Sequence, residues 1–201
     1  MYRFIKAAFL SLAVLAQVPA HADIGPDELA RNTTNEVIRI VKQDDDIKNG
    51  RSSKIYAVVE TKILPHFDFE HMTKLAVARN WNIATPEQQD RLILEFRALL
   101  VRTYAASLSS VADYKIEFKP ARVNGGVTDT IINSEVSKPG APPITIDYRM
   151  EKIGNAWKVY DVLVDNVSLV TVYRNSFNSE VRKGGIDGLI QALARRNQRK
   201  S

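Results

Sequence analysis

The sequence predicts an α+β fold: a strongly twisted antiparallel sheet of four to five strands with helices packed on one face. Three observations carry this. Ile144, Ile146, Tyr148 and Met150 alternate with Thr145, Asp147, Arg149 and Glu151, the period of a strand with one apolar face, and a glycine turn leads into a second β-rich run, Trp157 to Val164. Four segments of helical period precede this hairpin. Two more follow it, divided by Gly184-Gly185.

Of the 201 residues, the first 22 read as a secretory signal peptide. Arg3 and Lys6 precede an apolar run from Ala7 to Val18, and Ala20-His21-Ala22 supplies an A-x-A cleavage site before Asp23. The run is too short to span a bilayer, and no Cys stands at the cleavage site to take a lipid anchor. Residues 23–201 then form a single domain, large enough to enclose a cavity within its core. The chain has no cysteine, so its stability must come from packing. Removing the two leader cations takes the formal net charge from +5 to +3, and part of the excess sits in Arg195, Arg196, Arg199 and Lys200. That modest charge, without a basic stripe interleaved with aromatics, argues against a nucleic acid as partner.

Pro26, with Asp27 and Glu28 in the first turn, opens a helix that carries Leu29, Thr33, Val37, Ile40 and Val41 on one stripe. Asp44-Asp45-Asp46 reads as a solvated linker ending at Gly50 rather than a cation site. Ile55, Val58, Val59 and Ile63 mark a second helix, which Pro65 ends or kinks. Asp68 caps a short third helix with Met72, Leu75 and Ala76 inward. Thr85-Pro86-Glu87-Gln88 is a capping box with proline at the first helical position, and the helix it starts holds Leu92, Phe96, Leu99, Leu100, Tyr104 and Leu108 on one face for about six turns.

From Ala112 the period becomes two through Tyr114, Ile116 and Phe118; Pro120 and Asn124-Gly125-Gly126 interrupt it, and Val127 to Val136 resumes it. In the hairpin's second strand Trp157, Val159, Asp161 and Leu163 share one face and Tyr160, Val162 and Val164 the other, which predicts a strand covered on both sides. Beyond Asp165-Asn166, Leu169, Tyr173, Phe177 and Val181 recur once per helical turn, with Ser168 or Asn166 as N-cap. Gly184-Gly185 ends that helix, and Ile186, Leu189, Ile190 and Leu193 give the last one.

Groups able to do chemistry are few. HFDFEH brings His66, Asp68, Glu70 and His71 together, but the spacing is not H-E-x-x-H and Pro65 breaks the helix that would align them, so no metal site is expected. Ser168 lacks a G-x-S-x-G elbow. Asp161 and Asp147 are the candidates for a general base, since a carboxylate turned into an apolar interior has a raised pKa. The competing role is a carboxylate bonded to Arg149, Arg174 or backbone amides. Arg79, beside Asn80-Trp81, and Arg174, beside Tyr173, offer planar forks to a phosphate; an Arg stem lying on an aromatic produces the same pattern.

Three ordered blocks, LPHFDFEHMTKLAVARNWNIATPEQQ, VYDVLVDNVSLVTVYRNSF and RKGGIDGLI, resemble the MlaC family of periplasmic phospholipid-binding proteins, also named toluene-tolerance or ABC-transporter auxiliary proteins. The resemblance implies a cone close to the NTF2-like type and a soluble periplasmic carrier without cofactor. That carrier holds phospholipid by its acyl chains and shuttles it between an outer-membrane lipoprotein complex and an inner-membrane ABC transporter complex with its substrate-binding-type subunit. It touches membranes only transiently and maintains outer-membrane lipid asymmetry. Leaning on it, the lipid-binding apolar cavity is placed at Phe67, Phe69, Met72, Leu75, Leu99, Tyr104, Tyr148, Val159, Tyr173 and Phe177, with Arg79 and Arg174 at the mouth or headgroup. The alternative function is an NTF2-like isomerase or hydrolase using Asp161 or Asp147.

Overall fold

The structure is a computed structural model that describes residues 24–49, 52–120 and 126–198. The leader with its cleavage site, Gly50, Asn124-Gly125, Arg199 and Lys200 lie outside the described residues. Among the described residues, no helix is long and apolar enough to cross a membrane.

Helix α1 (Pro26–Gln43) starts at its proline with acidic residues in the first turn, which suit the positive end of the helix dipole. The acidic trio is not a plain linker. Asp44 accepts from the Asp46 and Ile47 amides and so caps the single turn α2 (Asp45–Lys48), while Lys54 bridges Asp44 and Asp46. Helix α3 (Ser52–Val58) then widens into a π-turn over Val59–Ile63, where the Leu64 amide bonds the Val59 carbonyl, and tightens into a 3-10 turn, Leu64–His66. Pro65 accounts for the ending, since its ring removes a donor and clashes with a continuing helix.

Asp68 caps α4 (Phe69–Val77) through the His71 amide, and a 3-10 stretch, Ala78–Ile83, follows. The capping box at Thr85 is present in both directions and starts α5. Helix α5 (Pro86–Tyr104) is shorter than its apolar stripe; Ala105–Asp113 continues it as a 3-10 helix. The serines there explain the tightening: Ser109 and Ser110 donate to the carbonyls of Ala106 and Ser107, competing with the α pattern. The first strand accordingly begins at Lys115 rather than Ala112.

Strands β1 (Lys115–Phe118), β2 (Asp129–Ser137), β3 (Ile144–Ile153), β4 (Ala156–Val164) and β5 (Val167–Ser168) form one antiparallel meander in sequence order. Two-residue turns of the primed kind link the last three. Gly154 at φ +60° leads into β4, and Asp165 and Asn166, both at positive φ, lead into β5. Register pairs Ile132 with Tyr148, Ser134 with Ile146 and Val136 with Ile144, so the alternating residues of β3 share a face with the buried residues of β2.

Strand β4 departs from simple alternation. Its pairing with β3 runs from Ile146↔Val164 to Arg149↔Asp161, then slips to Met150↔Val159, which leaves Tyr160 as the extra residue of a β-bulge. A bulge reverses the face of everything beyond it. Val162 and Val164 therefore join Val159 on one side, and Asp161 turns to the other. Strand β4 is covered on both sides as expected, by the cavity wall and by α6, but the inserted residue corrects the expected faces by separating Asp161 from Val159.

Helix α6 (Leu169–Gln198) is two helices joined at Gly184-Gly185, where the backbone leaves helical values; Gly185 sits at φ +66°, ψ −166°, a region open mainly to glycine. The buried apolar residues fall into three groups. One joins α4, α5 and α6 around Phe96 and Phe177; one joins α1, α2 and α3 around Val41 and Ile47; one lies on the sheet at Ile132, Met150, Trp157 and Val159. Phe67 packs against both the first and the third, and the space the groups leave between them is the candidate site.

Candidate lipid-binding cavity

A cavity of about 590 Å³ lies where the three groups face one another. Its floor is the apolar face of the sheet: Ile116, Val136, Ile144, Ile146, Tyr148 and Met150, completed by Val159, Val162 and Val164 of the bulged strand. One wall is α1 through Leu29, Ala30, Thr33, Thr34 and Val37. Beside it come the π-turn and the segment after it (Val59, Ile63, Leu64, His66, Phe67), then Phe69 and Met72 of α4. Leu100, Val101 and Tyr104 from the end of α5, the 3-10 helix behind them, and Leu169 close the remaining side. Irregular helix thus lines much of the wall. Wider and tighter turns set side chains at spacings that a regular α-helix does not offer.

Two anchors hold the Pro65–Asp68 segment against the sheet. The Asp68 amide donates to the Val159 carbonyl at 2.9 Å, where Phe67 and Val159 make a parallel bridge, and Lys158 Nζ donates to the Pro65 carbonyl at 2.5 Å. Phe67 and Phe69 stack with centroids 5.8 Å apart, and the Arg97 guanidinium lies over the Phe69 ring. On the sheet, Tyr148 stacks on Phe118, whose other contact is Arg31 of α1; Arg31 also donates to the Phe118 carbonyl at 3.1 Å.

Several polar side chains at or beside the cavity are committed to the protein. Ser134 Oγ donates to the Ile146 carbonyl at 2.6 Å. Burial pushes the Tyr148 phenol up in pKa, with a bond to Ser134 acting the other way. Burial also pushes Tyr104 up to about 12, helped by its hydroxyl contact with Tyr173. What these groups leave to a ligand is an apolar surface, suited to hydrocarbon and offering little to a polar solute.

Six of the ten residues expected at the cavity line it: Phe67, Phe69, Met72, Tyr104, Tyr148 and Val159. Leu75, Leu99, Tyr173 and Phe177 belong to the packed core instead. Phe96 explains the division, since its ring meets Tyr173 and Phe177 edge-on at 5.2 and 5.1 Å and leaves no gap between α5 and α6. Arg79 is exposed and Arg174 donates to the Leu75 carbonyl at 3.1 Å, tying α6 to α4; neither lines the cavity. The α1 wall and the ends of β3 and β4 were not among the expected lining. For β3 the signal was present, because the alternation that places Tyr148 also places Ile144, Ile146 and Met150.

The carboxylates weighed as general bases face away. Asp161 is 1% exposed, accepts from Ser168 Oγ at 2.7 Å and from the Val170 amide at 3.3 Å, and lies 3.6 Å from Arg149. It caps the start of α6, together with Ser168, which accepts from the Thr171 amide. Asp147 is on the same outer face, opposite Asn133 and Leu163. Both are corrected as cavity groups, and the bulge is the reason for Asp161. Of the HFDFEH residues, Asp68 and His71 come within 4.8 Å of Glu151, outside the cavity lining; His71 bonds Glu151 and stacks on Tyr160.

Comparison with known proteins agrees with this geometry. A family model described as MlaC protein matches residues 31–195. The toluene tolerance protein Ttg2D of Pseudomonas putida is 25% identical over 201 residues, covering 96% of this chain and 90% of that protein. The intermembrane phospholipid transport system binding protein MlaC of Haemophilus influenzae is 23% identical, over 94% of this chain and 90% of its own. Among solved structures, a phospholipid-binding protein from Ralstonia solanacearum in complex with a phospholipid is similar with a TM-score of 0.79 at 37% identity, covering 88% of this chain and 97% of that one.

Proposed function

The chain belongs to the MlaC family, and from that premise we propose that it is a periplasmic carrier that hides phospholipid acyl chains in the cavity and moves them between membranes. The observation that carries this reading is the cavity: about 590 Å³, within the usual range for ligand sites, and lined mainly by apolar side chains. The phospholipid named in the similar Ralstonia structure supports the same ligand class. The leader read from Arg3, Lys6 and the apolar run supports export.

Carriage of this kind needs no catalyst. Burying about 30 methylenes at ~0.8 kcal/mol each is worth on the order of 24 kcal/mol against water, yet a bilayer already provides nearly all of it. Exchange between bilayer and cavity is then close to thermoneutral. The cavity removes the barrier of crossing water, and direction has to come from partners. The name of the Haemophilus relative supports an intermembrane transport system as that setting. The partners that belong to this proposal are an inner-membrane ABC transporter complex and an outer-membrane lipoprotein complex. Maintenance of outer-membrane lipid asymmetry is the physiological role that follows.

Native mass spectrometry of the protein purified gently from its exporting host tests the reading. Bound masses that fragment to diacyl phospholipid are expected, and an empty or peptide-loaded cavity would defeat it.

A further inference from the structure

Among the described residues that line the cavity, one side chain ionises near neutral pH. His66 stands in the wall between Leu64 and Phe67; the other lining residues are apolar, hydroxyl-bearing or tyrosines. Its imidazole is half-buried and has no hydrogen-bond partner among the described residues, whereas Tyr104, Tyr148 and Ser110 all bond within the protein. The backbone that carries the ring is fixed on both sides. Lys158 of β4 grips the Pro65 carbonyl before it, and the Phe67–Val159 bridge with the Asp68 amide fixes the chain after it.

The charged groups facing His66 come from each element packed around it. Lys158 approaches from β4 and Glu36 from α1, and Lys62 of the π-turn pairs with Glu36 at 2.6 Å, with Arg39 close to that carboxylate as well. Lys62 takes up the Glu36 carboxylate, which leaves Lys158 as the cation beside the ring. A partnerless imidazole, a fixed backbone and the Lys158 ammonium nearby make a place for an anion.

We propose that His66, assisted by Lys158, binds the phosphate of the lipid headgroup and so anchors the polar end of the ligand while the acyl chains fill the cavity. This rests on the carrier reading above and deepens it. In the free protein, burial and the neighbouring Lys158 hold the imidazole below its ordinary pKa, Glu36 acting weakly the other way, so the neutral ring is favoured. A phosphate beside it favours the charged form and raises that pKa in the complex. Affinity for a phosphate-bearing lipid therefore rises as pH falls through the bound value and levels off below the free value; above the bound value it is flat.

The experiment uses delipidated full-length mature protein with phosphatidylglycerol and diacylglycerol of identical acyl chains, titrated between pH 5 and 8. Phosphatidylglycerol is expected to bind about three- to tenfold more tightly at pH 5.5 than at pH 8, with proton uptake seen by calorimetry in two buffers, while diacylglycerol shows no such trend. His66→Gln should remove the trend and the proton uptake, so that phosphatidylglycerol and diacylglycerol depend alike on pH between 5 and 8. His71→Gln should keep both. Equal trends for the two lipids, or a trend that survives His66→Gln, would overturn the assignment. Inorganic phosphate at millimolar concentration should leave the His66 ring signal in NMR unmoved; a response equal to that with phosphatidylglycerol would mean a free-anion site and overturn the headgroup assignment. If neither lipid binds, the carrier reading falls and takes this one with it.

Discussion

Val159 and Asp161 stand two residues apart on one strand and face opposite sides of the sheet. Val159 lines the cavity, whereas Asp161 is sealed beneath the first turn of α6, because Tyr160 is inserted between them as a bulge. That single extra residue decides whether the cavity contains a carboxylate. Had β4 alternated without interruption, Asp161 would have joined Val159 in an apolar enclosure, the arrangement of a general base.

Asp161→Asn separates the two roles. The amide oxygen still accepts from Val170, but the charge facing Arg149 is lost, so stability in urea is expected to fall by about 1–3 kcal/mol. Vesicle-to-vesicle lipid transfer per folded molecule should stay at the wild-type rate. A variant that melts normally yet transfers nothing would return the carboxylate to the working site.

Ala30→Trp tests the cavity itself. Ala30 faces the cavity from α1, so an indole there occupies space meant for hydrocarbon. Lipid recovered with the purified protein should drop severalfold, and the thermal midpoint should hold or rise because open volume is filled. Full loading at an unchanged midpoint would show that the acyl chains lie elsewhere.

Phe177→Ala makes the contrasting case. Phe177 is 1% exposed and locked edge-on against Phe96, so truncation leaves a hole in a packed region and is expected to cost about 3–5 kcal/mol in chemical denaturation. Lipid bound per folded molecule should not change. A selective loss of lipid would put this ring at the cavity after all.

Tyrosines set the alkaline limit. Tyr104 and Tyr160 are pushed up to about 12, both chiefly by burial, and Tyr148 is raised for the same reason. Their neutral forms are favoured in the fold, so the stability they contribute is intact below the unfolded value near 10 and is lost as pH climbs from there toward 12. Absorbance at 295 nm should show late-titrating phenols released together with unfolding. Tyr104→Phe should make the decline over that interval shallower; an identical decline would remove Tyr104 from the account.

Much of the architecture was legible because its causes are local. Asp68 and Thr85 cap the helices that they were read to cap, the Gly154 turn joins the expected strands, and Gly184-Gly185 divides the last helix. Each depends on atoms within about four residues along the chain, so spacing and residue type suffice. The resemblance of three ordered blocks to the MlaC family, and the family match over residues 31–195, lie at this level too.

The cavity lining was only partly legible. Tyr148 and Phe177 are alike in sequence, each an aromatic on an apolar stripe, but Tyr148 faces open space and Phe177 meets Phe96. The sequence by itself determined most of the elements and turns and, outside β4, the apolar face of each strand. Only the tertiary structure decided which apolar residues touch one another and which are left facing a gap. Burial favours any apolar contact equally, so the choice of partner is made by how distant elements are positioned, and in β4 by one residue too many.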